Sequence, residues 1–133
     1  MKQFTSKPLL VRYGETDQMG VVHHSNYLRY FEVARLEWLS ALGVSYASME
    51  KEGLIMPVID IKATYKTPAL FDDSLTIYVF LSELPRVKII FSYEIKNQKD
   101  EIVCTGETTL AFLNAKTRKP VRCPEEFGAL FST

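Results

Sequence analysis

Two periodicities divide the chain. Over residues 26–42, Tyr27, Phe31, Ala34, Trp38 and Leu42 recur three or four positions apart and form one apolar stripe, which Leu28, Val33 and Leu39 widen. That spacing predicts a helix over 26–42. Being apolar round much of its girth, it should be surrounded by protein on most sides. Ser25 or Asn26 is the expected N-cap and Gly43 the expected stop. A second, short helix is expected over 45–52, ended by Gly53. Beyond residue 53 the period becomes two. Strands are expected over 54–67 (Ile55, Ile59, Ile61, Ala63 and Tyr65 on one face, with Pro57 at a frayed start), 74–84, 86–97 and 101–114. The third has the cleanest alternation, with Val87, Ile89, Phe91, Tyr93 and Ile95 opposed to Lys88, Ser92, Glu94 and Lys96. Ahead of the helix, 4–13 reads as a first strand with Leu9, Val11 and Tyr13 on one side, followed by a loop over 14–24.

The linkers Phe71-Asp72-Asp73-Ser74, Glu83-Leu84-Pro85 and Asn97-Gln98-Lys99-Asp100 are short and polar or proline-bearing, which favours antiparallel hairpin neighbours. Strand, long helix and then four strands make an α+β pattern. Strands this long must curl, because sheets twist. A curled sheet of about five strands with one apolar face and a largely apolar helix satisfy each other if the helix lies in the concave side. The 133 residues suit one domain spanning 1–133.

Composition removes several classes of function. Sixteen Lys and Arg balance sixteen Asp and Glu, so a general nucleic-acid or membrane-surface binder, which needs a net basic field, is disfavoured. Cys104 and Cys123 make no disulfide framework and no CxxC pair. No apolar run approaches a membrane span and the N-terminus lacks a signal-peptide core. The expectation is a soluble, cytoplasmic protein with reduced thiols.

The chemistry-bearing stretch is Asp17-Gln18-Met19-Gly20-Val21-Val22-His23-His24-Ser25-Asn26-Tyr27. It sets a loop carboxylate just ahead of a helix N-terminus, where amide dipoles stabilise developing negative charge. Asp17-x-x-Gly20-x-Val22-x-His24-x-x-Tyr27-x-x-x-Phe31-Glu32 resembles the signature of acyl-CoA thioesterases of the 4-hydroxybenzoyl-CoA thioesterase type, including the branch associated with the Tol-Pal cluster. The resemblance spans roughly 5–128 and includes the closing Arg118-Lys119-Pro120-Val121-Arg122-x-Pro124-Glu125-Glu126.

The resemblance implies the hot-dog fold, a long central helix wrapped by a curled antiparallel sheet, and hydrolysis of an acyl-CoA to free acid and CoA without metal or organic cofactor. It implies self-association as a dimer or tetramer with sites at the subunit interface. Asp17 matches the catalytic carboxylate, as nucleophile or general base. His24 matches the residue whose N–H polarises the carbonyl and whose side chain assists. Gly20 matches the glycine that turns the loop beside the substrate. Val22 and Tyr27 are substrate-binding candidates beside it, and Arg86 and Lys88, at a hairpin, are candidates for the CoA phosphates, with Lys116, Arg118 and Lys119 as further cations.

Plainer roles stand beside these. Asp17 alone reads as an Asx-turn residue. On an extended segment His23 and His24 would point opposite ways, so at most one faces the site. Glu15 reads as a solvated loop charge and Glu32 as a salt-bridge partner. Tyr27, Phe31 and Trp38 also read as core, and Cys104 as a small buried residue. A metal set of Asp17, His23, His24 and Glu32 lacks helix-face spacing. Two other activities compete: a thioester hydratase or dehydratase leaning on a histidine with Glu32, and a non-catalytic acyl-CoA-binding subunit.

Overall fold

The computed structural model describes residues 2–132. Its elements are β1 (Lys2–Thr5), β2 (Leu9–Leu10), α1 (Ser25–Ala41), α2 (Tyr46–Lys51), β3 (Leu54–Ile55), β4 (Val58–Tyr65), β5 (Ser74–Leu81), β6 (Lys88–Lys96), β7 (Ile102–Ala111), β8 (Leu113–Asn114) and α3 (Glu125–Ala129). The main sheet has six antiparallel strands in the order β1-β5-β6-β7-β4, with β2 beside β5; β3 and β8 form a separate pair. This is the expected α+β architecture. Among the described residues no helix is long and apolar enough to cross a membrane.

The inner face of the central strands follows the alternation: Leu75, Ile77, Val79 and Leu81 of β5 and Ile89, Phe91, Tyr93 and Ile95 of β6 are buried. They meet Tyr27, Phe31, Ala34 and Trp38 of α1, and the Phe31 ring stacks on Tyr93 at 4.3 Å. α1 ends as Gly43 suggested. Gly43 takes φ 84°, its N–H reaches the Ser40 carbonyl at 3.0 Å, and the Val44 N–H reaches Leu39 at 2.8 Å, which is a Schellman closure. Asn26, Tyr30 and Arg35 of the helix are buried although the apolar stripe did not include them. Arg35 is 3% exposed, and its guanidinium donates to the Tyr93 hydroxyl at 3.1 Å, which in turn meets Thr108 Oγ1 at 2.6 Å.

Several expectations need correction. The strand expected over 4–13 is two short pieces. Pro8 has no N–H for a ladder, and Ser6 interrupts the run by pairing its own N–H and hydroxyl with Ile77. Tyr13 then enters a 3-10 turn over Tyr13–Glu15 and is 77% exposed instead of sharing a buried face with Val11. Strand 54–67 breaks at Pro57 into β3 and β4, and strand 101–114 breaks after Ala111 into β7 and β8.

The largest correction concerns β4. It does not form a hairpin with β5. It pairs with β7 at one edge of the sheet, while β5 pairs with β1 toward the other. Residues 66–73 therefore cross between distant strands. Ile59, Ile61 and Tyr65 of β4, expected on a buried face, are exposed, as are Leu28 and Val33 of α1. One flank of the helix and the inner face of the edge strand have no cover within the chain.

Candidate active site

The 66–73 crossover passes in front of the α1 N-terminus and is fastened there. The Val22 N–H donates to the Ala69 carbonyl at 2.8 Å, and Val21 bridges Leu70. The crossover and the Asp17 loop together enclose a cleft of about 250 Å³, lined by Asp17, Val21, Val22, His24, Tyr27, Tyr65, Lys66, Thr67 and Pro68.

Asp17 sits at the tip of two short antiparallel segments. Its N–H donates to the Val21 carbonyl at 2.8 Å, Thr16 bridges Val22, and the His23 N–H donates to the Glu15 carbonyl at 2.8 Å. The return from Asp17 requires Gly20 at φ 78°, a conformation strained for residues with a Cβ. Gly20 acts through the backbone and does not line the cleft. Asp17 does form the Asx turn: Oδ1 accepts the Met19 N–H at 2.8 Å and the Val21 N–H at 3.4 Å. Among the described residues Oδ2 accepts no hydrogen bond and the carboxylate makes no ion pair. One oxygen thus anchors the side chain of this cleft-lining residue, while the other accepts no hydrogen bond among the described residues.

His24 stands at the start of α1 with helical φ −55° and ψ −29°. This turns the chain where an extended segment was expected. The His23 and His24 rings stack at 4.1 Å instead of pointing opposite ways, and His24 alone of the two lines the cleft. Neither Ser25 nor Asn26 is the N-cap. The His23 ring does the capping, with Nδ1 accepting the Ser25 N–H at 3.2 Å. The Asn26 and Tyr27 N–H groups reach back to the His23 and His24 carbonyls. Among the described residues the His24 N–H has no acceptor, so it is an unspent donor at a helix start beside Asp17.

Tyr27 is buried at the back of the cleft, 5.2 Å from the Tyr65 ring. Burial pushes its hydroxyl above the ordinary tyrosine range, so it is neutral at pH 7. Tyr65, Lys66, Thr67 and Pro68 were not foreseen as site residues. Their only signal was Thr67-Pro68 closing a strand pattern, and the wall exists because β4 lies at the sheet edge. Glu15, expected in solvent, is 11% exposed at its side chain. Burial raises its carboxyl pKa, but the Arg12 N–H, the Tyr30 hydroxyl and the Arg12 guanidinium outweigh this and hold it below the ordinary value.

Two expected members lie elsewhere. Arg86 and Lys88 flank a separate hollow at the β5–β6 hairpin. The register carries Tyr65 to Cys104 and Lys88 to Ala111, seven residues further along β7, about 23 Å away at a strand's rise. Lys116, Arg118 and Lys119 follow β8 at that same far end. Within one chain these cations do not join Asp17. Glu32 is outside the cleft, exposed, and 3.9 Å from Arg35. Among the described residues no group of three or more His, Cys, Asp or Glu gathers around a common point.

The family model described as "Thioesterase-like superfamily" matches residues 11–131. This chain belongs to that superfamily. A putative acyl-CoA thioesterase YneP of Bacillus subtilis is 32% identical over 92% of this chain and 89% of its own. The acyl-CoA thioesterase YbgC of Helicobacter pylori (strain J99) is 33% identical over 92% of this chain and 96% of its own. Among solved structures, a DHNA-CoA thioesterase from Staphylococcus aureus superposes with TM-score 0.92 at 37% identity, covering 99% of this chain and 90% of that one. The superfamily match takes in the cleft and everything around it.

Proposed function

We infer that this chain is an acyl-CoA thioesterase in which Asp17 and the His24 amide act on one thioester carbonyl. The observation that carries the mechanism is the free Asp17 Oδ2 sharing a cleft with the unpartnered His24 N–H. A thioester carbonyl directed toward the His24 N–H gains a donor for the charge that develops on its oxygen, an effect worth about 3 kcal/mol in other enzymes. Asp17 then attacks the carbonyl carbon, giving a mixed anhydride that water cleaves, or removes a proton from water that attacks in its place. In both routes the thiolate of CoA leaves and takes up a proton. The His24 ring lines the same cleft and is the group we assign to assist proton transfer.

The reading includes a second copy of the chain. β4 is an edge strand whose inner face carries exposed Ile59, Ile61 and Tyr65. Such an edge is a template for pairing with another strand, and a two-fold pairing of β4 with itself would continue the sheet and set the apolar inner faces of the two β4 strands side by side. Because the paired strands run in opposite directions, the hairpin end of one copy, with Arg86 and Lys88, comes alongside the Asp17 end of the other. That would add Arg86 and Lys88, which a single chain keeps about 23 Å from its own cleft, to the Lys66 that already lines it. The two cysteines, both free thiols, suit the cytoplasm.

Replacing Asp17 by Asn keeps the shape and removes the reactive oxygen. Release of CoA thiol should fall by at least about a hundredfold in a protein of unchanged oligomeric state. Thiol release at the parent rate would overturn the mechanism. One turnover in oxygen-18 water separates the two routes, since label enters Asp17 only after direct attack. A panel of aromatic and aliphatic acyl-CoA esters, scored by thiol release, identifies the acyl group.

A further inference from the structure

Glu15 lies two residues before Asp17, where the carboxylate loop and α1 are tied together. Its main-chain carbonyl accepts from the His23 N–H at 2.8 Å and from Asn26 Nδ2 at 3.0 Å. Its carboxylate accepts from the Arg12 N–H at 2.9 Å, the Tyr30 hydroxyl at 3.0 Å and the Arg12 guanidinium at 3.1 Å. Asn26 and Tyr30 are buried members of the first turns of α1. The residue therefore grips the helix through both its backbone and its side chain, at the root of the segment whose tip is Asp17.

We propose that Glu15 is a positioning residue for thioester hydrolysis: by holding His23, Asn26 and Tyr30 against the root of the loop, it sets the separation between the Asp17 carboxylate and the His24 N–H. This rests on the roles given above to Asp17 and His24. Those two groups must meet the carbon and the oxygen of the same carbonyl. A misplacement of about 1 Å between such groups costs roughly a hundredfold in rate. Glu15 touches no substrate in this scheme. Its Tyr30 bond fixes the side chain so that its carbonyl stays aimed at His23, the residue next to the amide donor.

The test uses the full chain and an acyl-CoA that the parent hydrolyses, with kcat, KM and melting temperature measured for Glu15→Ala, Glu15→Gln and Tyr30→Phe beside Asp17→Asn. Glu15→Ala is expected to lower kcat about a hundredfold while KM stays within about threefold. Glu15→Gln keeps an acceptor oxygen for Tyr30 and should recover to within about tenfold of the parent kcat. A Glu15→Ala protein that melts lower but turns over like the parent would show a purely structural role and overturn the proposal. Should that variant not fold, Tyr30→Phe decides. A drop in kcat of about tenfold at unchanged KM supports positioning, and parent kcat overturns it. Asp17→Asn separates the two levels. If it remains active, the site reading falls and takes Glu15 with it. If it is dead while Glu15→Ala is as fast as the parent, only the role of Glu15 falls.

Discussion

The inner face of the sheet is sealed over β5, β6 and β7 and open over β4. Cys104 and Tyr65 show the boundary, being cross-strand partners on that face. Cys104 on β7 is 0% exposed, and Tyr65 on β4 is 51% exposed. On that face β4 carries Ile61, Ala63 and Tyr65 where β7 carries Cys104, Gly106, Thr108 and Leu110, so residue type alone would not mark β4 as the open strand. What differs is cover. α1 lies across the central strands and leaves the edge bare. Alternation states which side of a strand is apolar; it does not state what closes that side. Here the sealed part gives stability, and the open part, continuous with the cleft at Tyr65 and Lys66, carries the proposed chemistry and association.

Four changes test that division, beginning with the largest. Phe91→Ala empties a fully buried position under Trp38 and should destabilise by about 3–5 kcal/mol, read from urea unfolding. A loss below about 1 kcal/mol would mean that the sealed region is not the source of stability. Gly106→Ala acts at the seam between β7 and β4. Its Cβ would meet the Phe31 ring and come within 2.8 Å of the Lys62 carbonyl oxygen. Backbone cannot yield as a side chain can, so a loss of about 1–3 kcal/mol is expected by the same measurement.

On the open side, Ile61→Lys should change the stability of the single chain by less than about 0.5 kcal/mol, because the side chain is already exposed. Its effect should appear in sedimentation, as a shift from dimer or tetramer to monomer accompanied by lost turnover. Unchanged sedimentation would remove β4 as the association surface. The smallest effect lies beneath the site, at Glu15. Its native pKa is lowered from 4.5, so it contributes stability at pH values above 4.5 that is lost as pH falls through the lower native value. Tyr30→Phe removes one of the donors responsible. The stability gap between parent and variant, from urea midpoints, should therefore narrow between neutral pH and about pH 3. A gap that widens on acidification would contradict the sign.

Much of this is legible in the amino-acid sequence. The helix and its Gly43 stop, the strand at 86–97 and the hairpins on either side of it depend on neighbours within a few residues, and local spacing reports such neighbours directly. The Asx turn at Asp17 was legible for the same reason, because a carboxylate accepting nearby amides is a local device; the turning role of Gly20 was implied by the family resemblance. Less local features were misread. Glu15 looked solvated because its Tyr30 partner is fifteen residues away in the chain. His23 and His24 looked opposed because the reading assumed extended backbone where the helix had already begun.

The amino-acid order by itself determined the long helix, the apolar sides of β5 and β6 and the carboxylate ahead of a helix start, since each follows from backbone sterics and period. Only the tertiary structure decided that β4 leaves its chain neighbour β5 for the edge beside β7. That choice sends residues 66–73 across the mouth of α1 to make a cleft and puts Arg86 and Lys88 at the opposite end of the sheet. Strand order is set by how the whole apolar surface is best buried against one helix, a sum over the entire chain that no short window contains.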